Sequence, residues 1–158
     1  MMKNLFQILC GLFLVVSYSS CMHSEEDKVD VLIIGGGASG VTSGIQSARM
    51  GANTLILEES TWLGGMLTSA GVSAVDGNYR LPAGLWGEFK NRLSDYYGGL
   101  DSLKTGWVSN VLFEPSVGNK ILHEMVAAEN NLKVWKQACL EEVKRTGDEW
   151  VAKVKVEG

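Results

Sequence analysis

Six residues between an apolar run and a helical pattern are suited to bind a phosphate ester. They read Gly-Gly-Gly-Ala-Ser-Gly, and their first, third and sixth positions are Gly35, Gly37 and Gly40. Glycines at this spacing permit a tight turn, close approach of a pyrophosphate to the backbone, and close packing of a helix against a strand. A helix that begins at Ala38 and Ser39 would point unpaired N–H groups at the phosphates. The pattern therefore predicts a dinucleotide site.

An acidic residue follows at the distance that such a site requires. Glu58 comes 23 residues after Gly35 and ends a second apolar run. A carboxylate in that position can accept hydrogen bonds from both ribose hydroxyls of an adenosine, and its charge disfavours a 2′-phosphate. FAD and NAD are both compatible with this half-site, and a glycine-rich turn that binds no ligand is the competing interpretation.

The elements around the motif are predicted to form a βαβ unit. Residues 29–34 form a nearly continuous apolar, β-branched run, interrupted only by Asp30, which predicts a strand buried on both faces of a parallel sheet. Apolar residues recur at helical spacing over residues 38–50, and residues 54–57 form a second buried strand. Strand, helix and strand within about 30 residues are typical of a right-handed crossover between parallel strands.

Two helices, a strand and a hairpin are predicted further along the chain. Pro82 opens one helix, and Pro115 opens another that ends at Asn130 and Asn131. Residues 132–136 form the third strand, and residues 141–146 begin a hairpin that turns at Gly147 and Asp148. The side chains expected to be buried in these elements are Leu85, Phe89, Leu93 and Tyr96, then Val117, Ile121, Met125 and Ala128, then the alternating Trp150, Ala152, Val154 and Val156. In the glycine-rich loop at 64–77, Met66, Leu67, Val72 and Val75 are also expected to need burial.

The N-terminal residues have the pattern of an export signal. Lys3 precedes an apolar run at residues 5–16, and small polar residues lead to Cys21. We interpret residues 1–20 as a signal peptide, Cys21 as the lipid attachment site of a bacterial lipoprotein, and residues 21–28 as a spacer. The mature protein would lie in the cell envelope, in the periplasm or on the surface, and contact the membrane through its lipid. Cleavage near Ser20 to give a soluble product, and a permanent membrane helix, are the alternatives.

Composition excludes several classes of function. The chain has 158 residues and a formal charge of −4, with no basic stripe, so nucleic acid is not an expected partner. The three cysteines and two histidines have no metal-ligand spacing, so no metal site is predicted. Five other residues that could take part in catalysis or binding are interpreted as structural. His123 is a surface residue, Asp76 is part of a turn, Trp86 and Trp107 are packing residues, and Cys139 is a buried small side chain.

The stretch Leu-Gly-Gly-Met-Leu-Thr at residues 63–68 adds a resemblance. Together with the first glycine motif, it resembles the FAD-dependent oxidoreductases of the glutathione-reductase-like superfamily, and in particular an exported bacterial group sometimes labelled xanthan lyase. No residue of the chain supports polysaccharide elimination. The resemblance covers residues 29–77. It differs at Ser60, Thr61 and Trp62, where many relatives have an arginine before the glycine pair.

The resemblance implies a cofactor and a set of contacts. FAD would be the cofactor, Gly64 and Gly65 would form a second contact to phosphate and flavin, and Met66 and Leu67 would lie near the flavin. A β-meander after the third strand is also typical of FAD domains, whereas an NAD dehydrogenase more often continues in βαβ alternation.

The expected fold is therefore α/β, a Rossmann-type parallel sheet with a helical insertion and a partial β-meander. Residues 29–158 would be the N-terminal part of an FAD-binding domain, inactive alone, within an enzyme that oxidises or reduces a small-molecule or carbohydrate-related substrate. An NAD-binding dehydrogenase and a non-catalytic, stand-alone dinucleotide-binding module are the alternatives.

Overall fold

A computed structural model describes residues 27–75, 77 and 79–157 as an α/β fold. The strands are β1 (Val31–Ile34), β2 (Thr54–Glu58), β3 (Leu132–Lys136), β4 (Ala138–Thr146) and β5 (Glu149–Val156). The helices are α1 (Ala38–Arg49), α2 (Gly84–Tyr97) and α3 (Pro115–Ala127), with short 3-10 turns at Gly65–Leu67 and Leu100–Leu103. The predictions for the signal segment, for Cys21 and for Asp76 lie outside the described residues.

The first three strands form the predicted parallel sheet, in the order β1-β2-β3. Val31 is in register with Thr54, and Thr54 is in register with Leu132. The prediction that β1 is buried on both faces is wrong, because Val31, Leu32 and Ile33 are only partly buried and Ile34 is exposed. The strand is also shorter than predicted: its register with β2 begins at Val31, and the N–H groups of Asp30 and Val31 both donate to the carbonyl of Asn53, the residue before β2.

The central strand β2 is covered on both faces. Ile56 packs with Val41 and Ile45 of α1 in the larger core cluster. Leu55 and Leu57 point to the other face, where they pack with Ala138 of β4 in a second cluster. A nearly continuous apolar strand is therefore required here, because alternate residues enter different cores.

The first helix of the insertion, α2, begins at Gly84 rather than at the predicted Pro82. Ala83 is its N-cap residue in an extended conformation, so Pro82 stands outside the helix. Phe89 and Leu93 are buried as expected. Tyr96 was expected in the core and is exposed, and the neighbouring Tyr97 packs against the core in its place.

The helix α3 is shorter than its sequence pattern suggests. It ends at Ala127 rather than at Asn130 and Asn131, and the predicted core residue Ala128 is exposed. The Asn131 side chain donates instead to the carbonyl oxygens of Ala48 and Ala52, at 2.9 and 2.8 Å. This contact ties the chain after α3 to the end of α1, and it requires the helix to have stopped.

The hairpin β4–β5 is antiparallel and begins earlier than predicted, at Ala138. A bulge interrupts its register between Leu140 and Glu142. Ala152 and Val154 are partly covered, but Trp150 is 69% exposed and Val156 is also exposed, so the predicted apolar face is only half covered. The hairpin packs on the sheet near Ala138 and extends beyond it.

The burial predicted for three loop residues is wrong. Met66 is 68% exposed and Val72 is exposed, whereas Leu67 and Val75 pack against the core as expected. Trp107, expected to be a packing residue, is 96% exposed on the loop before β-bridge residue Leu112. Local sequence cannot assign these side chains, because burial depends on which distant element covers the loop. Within the described part of the chain, every helix is too short or too polar to cross a bilayer.

Candidate dinucleotide-binding site

The first glycine turn connects β1 to α1 in the conformation that the motif predicts. Gly35 has a φ of +95°, in the left-handed region that favours glycine. Its N–H donates to the Leu57 carbonyl at 2.8 Å, which holds the turn against β2. A Cβ on Gly40 would lie 1.9 Å from the Gly35 carbonyl oxygen, so α1 approaches the turn more closely than any other residue would allow.

Gly37 has a different environment from the other two glycines. Its φ is −64°, which any residue can adopt, and a Cβ added there would have no atom within 4 Å. It is the N-cap residue of α1, and no side chain caps that helix end. The N–H groups of the first turn therefore lack the internal partners that a helix interior provides. An open space thus lies directly in front of backbone donors at the positive end of a helix dipole.

Glu58 ends β2 and turns its carboxylate toward the same glycines. Its Oε2 accepts the Gly36 N–H at 2.7 Å, and its Oε1 accepts the Ser60 N–H at 2.8 Å. The side chain is half-buried. A carboxylate has about four lone-pair positions, so two backbone hydrogen bonds leave capacity for two more donors.

The second glycine pair lies against the first motif. The Gly64 N–H donates to the Gly36 carbonyl at 2.8 Å. A Cβ on Gly65 would be 3.1 Å from the Gly37 Cα, and both Gly64 and Gly65 have positive φ angles, of +104° and +53°. The structure therefore brings together the two glycine segments that the sequence separates. We call the space that they border, with Glu58, the glycine corner.

Asn119, which the sequence analysis did not identify, holds this second segment in place together with Leu63 and Thr68 of the motif. Leu63 is fully buried, its N–H donates to Asn119 Oδ1 at 2.8 Å, and its carbonyl accepts the Thr68 hydroxyl at 2.5 Å. An asparagine inside a helix is a weak signal of a tertiary role, because its helix propensity is low. Nothing in the sequence pattern connects Asn119 to Leu63.

The remaining candidates lie outside the glycine corner. His123 is half-buried rather than fully at the surface, with Nδ1 2.9 Å from the Asn119 carbonyl oxygen of its own helix. Trp86 packs against the core as predicted. Cys139 is a free, partly buried thiol, and burial together with the nearby charge of Glu59 raises its pKa. The thiol form is therefore favoured, which agrees with the interpretation that Cys139 is not a redox thiol.

The corner fits one part of a dinucleotide well. Bare backbone, free helix donors and an oriented carboxylate match a pyrophosphate with its adjoining ribose. A phosphate could approach Gly37 only because no Cβ fills the space in front of it. No group of side chains suited to a metal ion occurs in the part of the chain that the structure describes.

Three solved structures have a similar fold. CabE, an aromatic hydroxylase from angucycline biosynthesis, is 14% identical with a TM-score of 0.57, over 83% of this chain and 28% of CabE. AlpK is 15% identical with a TM-score of 0.55, over 84% of this chain and 28% of AlpK. The p-nitrophenol 4-monooxygenase PnpA from Pseudomonas putida DLL-E4 is 13% identical with a TM-score of 0.52, over 80% of this chain and 35% of PnpA.

These identities show a common fold and no more. The chain spans between 28% and 35% of the length of the three proteins. No curated protein matches its sequence. The family profile described as "FAD dependent oxidoreductase" does match, over residues 30–158, which include the glycine corner, the helical insertion and the hairpin. The chain belongs to the FAD-dependent oxidoreductase family, and FAD is its cofactor.

Proposed function

We propose that FAD binds in the glycine corner and that the protein is an oxidoreductase acting on a small-molecule or carbohydrate-related substrate. The observation that carries the proposal is Gly37. Its φ of −64° and the empty space around its missing Cβ mean that the fold itself does not need glycine there. A ligand that must approach the backbone at that point does need it.

Each residue of the corner has a separate task in this proposal. Gly35 and Gly40 form the turn, and the N–H groups of Ala38 and Ser39 at the start of α1 donate to the pyrophosphate. Glu58 accepts the ribose hydroxyls with the lone pairs that Gly36 and Ser60 leave free. The last contacts come from the second glycine segment. The backbone of Gly64 and Gly65 and the exposed side chain of Met66 would contact the flavin.

When bound, FAD supplies the hydride or electron transfer, which no side chain of this chain needs to perform. The protein's contribution is to hold the cofactor and to exclude competing groups from its phosphates. Two of the similar structures are named for aromatic substrates, but at 14% and 13% identity their substrates are not carried over. The substrate therefore stays defined only by class.

Gly37→Ala tests the site. We expect the variant to fold, with the free energy of unfolding of the flavin-free protein lowered by about 1 kcal/mol at most, the usual cost of alanine at an N-cap. Its dissociation constant for FAD should rise at least about 30-fold, equivalent to about 2 kcal/mol. Flavin fluorescence titration of the stripped protein measures this constant. Ser43→Ala, an exposed position of the same helix, is the matched control.

The proposal fails if Gly37→Ala is purified with as much flavin as the wild-type protein. It also fails if the wild-type protein, well folded, binds no FAD. A variant that unfolds does not decide the question alone, and Glu58→Gln then replaces it. That change removes charge from the ribose contact while it keeps an oxygen that can accept a hydrogen bond.

We also propose that the protein is exported and lipid-anchored, within the exported bacterial group of the glutathione-reductase-like superfamily. The support is the sequence of residues 1–21, in which an apolar run leads to Cys21. Metabolic labelling with radioactive palmitate should mark the wild-type protein in the membrane fraction, and Cys21→Ser should abolish the label. An unlabelled wild-type protein with its first 20 residues intact would contradict this proposal.

A further inference from the structure

Leu63, the residue before the second glycine pair, has both of its backbone polar groups hydrogen-bonded to side chains. Asn119 Oδ1, on α3, accepts the Leu63 N–H at 2.8 Å. The hydroxyl of Thr68, which is also buried, donates to the Leu63 carbonyl at 2.5 Å. Leu63 is 0% exposed, so water cannot replace either partner.

Leu63 in turn connects the two glycine segments. Its Cδ2 lies 2.8 Å from the place where a Cβ on Gly36 would be, so the side chain fills the space beneath the first turn. The next residue, Gly64, donates its N–H to the Gly36 carbonyl at 2.8 Å. A displacement of Leu63 would therefore move the second glycine pair relative to the first.

Thr68 and α3 also close the space behind the second pair. The Thr68 Cγ2 atom is 2.8 Å from the position of a Cβ on Gly64. The same atom is 3.3 Å from the position of a Cβ on Gly118, the neighbour of Asn119 on α3. The loop that contains Gly64 and Thr68 thus has little room to shift toward α3. The two hydrogen bonds to Leu63 fix the position of this loop along the helix.

We infer that Asn119 and Thr68 are positioning residues for the FAD site, which act through Leu63 rather than on the cofactor. The inference rests on the proposed glycine corner. Without either hydrogen bond, a buried polar group of Leu63 loses its partner, and the loop relaxes away from the geometry that binding requires. FAD would then have to restore this order on binding, which weakens its affinity.

Two matched pairs of variants test the inference. Asn119→Leu removes the acceptor while it keeps the branching and the number of side-chain heavy atoms, and Asn91→Leu makes the same change at an exposed site on α2. Thr68→Val removes the hydroxyl at nearly constant shape, and Thr68→Ser retains it. We expect the dissociation constant for FAD to rise about tenfold in Asn119→Leu and Thr68→Val, equivalent to about 1.4 kcal/mol. Asn91→Leu and Thr68→Ser should stay within about threefold of wild type, about 0.65 kcal/mol.

The measurements are flavin fluorescence titration and visible circular dichroism of the bound flavin, both well below the melting temperature of each flavin-free variant. A lower melting temperature with an unchanged dissociation constant and dichroism spectrum would show a purely structural role and overturn the inference. If Asn119→Leu does not fold, the Thr68→Val and Thr68→Ser pair decides in the same way. Equal losses in Thr68→Val and Thr68→Ser would also overturn it.

Gly37→Ala separates this inference from the proposal on which it rests. If Gly37→Ala binds FAD normally, the glycine corner is not the site, and the positioning role fails with it. If Gly37→Ala loses FAD while Asn119→Leu and Thr68→Val keep the wild-type affinity, the corner is retained and only the positioning role is overturned.

Discussion

Helix α1 packs on one face of β2, and the β4–β5 hairpin packs on the other. The β1–α1–β2 unit and the hairpin differ in the interactions that hold them in place. On the helical face, Val41, Ile45 and Ile56 are all fully buried. In the hairpin, Ala138 is the single buried residue of the two strands. The βαβ unit is therefore ordered by close packing, whereas most of the hairpin is ordered by its own ladder of hydrogen bonds.

This difference indicates where the molecule tolerates change. Contacts in the βαβ unit involve backbone atoms at the glycine corner, and backbone cannot move aside as a flexible side chain can. The outer part of the hairpin has exposed side chains on both faces. Substitutions should therefore have their largest effects beside Gly35 and Gly40, and their smallest effects near the hairpin turn.

Gly40→Ala should give the largest effect. Alanine is favoured over glycine inside a helix by about 1 kcal/mol. Here the added Cβ would lie 1.9 Å from the Gly35 carbonyl oxygen, and this overlap should dominate. We expect the free energy of unfolding to fall by about 3 kcal/mol, measured by denaturant titration. A protein as stable as wild type would contradict the close packing, and Ser43→Ala serves as control.

Arg49→Met should give an intermediate effect that depends on pH. Arg49 pairs with Glu88 of α2 at 2.9 Å and with Glu129 after α3 at 2.7 Å, so it ties the end of α1 to α2 and to the segment that follows α3. Burial alone would raise the pKa of Glu88, but hydrogen bonds from Arg49 and Arg92 outweigh it and lower the pKa below its ordinary 4.5. Because the side chains of Arg49 and Glu88 are about a quarter to a third exposed, we expect Arg49→Met to lower the free energy of unfolding by only about 1 kcal/mol at pH 7.

The sign of the pH dependence follows from the lowered pKa of Glu88. A carboxylate with a lowered folded pKa stabilises the protein above its unfolded value, and this stability is lost as the pH falls through the folded value. The difference between wild type and Arg49→Met should therefore shrink as the pH drops below 4.5. Unfolding free energies measured from pH 7 downward check this, and a difference that grows in acid would refute it.

Trp150→Ala should give the smallest effect, in spite of the size of the side chain. Trp150 is 69% exposed near the hairpin turn, opposite Arg145. We expect the free energy of unfolding to change by about 0.5 kcal/mol or less, as at most exposed sites. Leu57→Ala, in β2 at 1% exposure, should cost about 3 kcal/mol in the same assay. Similar losses in both variants would remove the contrast between the two regions.

The sequence was informative where local chemistry decides the structure. The strand–glycine–helix order around Gly35 and the position of β3 are correct, because apolar periodicity and glycine conformation are local properties. The pairing of Glu58 with the glycine turn could be expected from its spacing alone. The resemblance implies that Gly64 and Gly65 contact the cofactor, but the hydrogen bond between Gly64 and Gly36 is not predicted, since no pattern in the chain connects the two loops.

The errors concern contacts between distant elements. Trp107 and Met66 were expected to be buried because of their size, but the described elements leave both exposed. The end of α3 was misplaced because Asn131 was interpreted as a helix terminator rather than as a partner of Ala48. Asn119 was missed for the same reason, since its partner Leu63 lies 56 residues earlier in the chain.

The central position of β2 also affects how the chain emerges during synthesis. Ile56 faces α1, which is synthesised before β2, but Leu55 and Leu57 leave the ribosome long before Ala138, the buried residue that packs against them. Pairing of β2 with β3 must close a comparably long loop, which slows folding. The nascent chain therefore exposes the Leu55 and Leu57 face of β2 until the segment with Ala138 has been made, and exposed apolar surface of this kind is prone to aggregate.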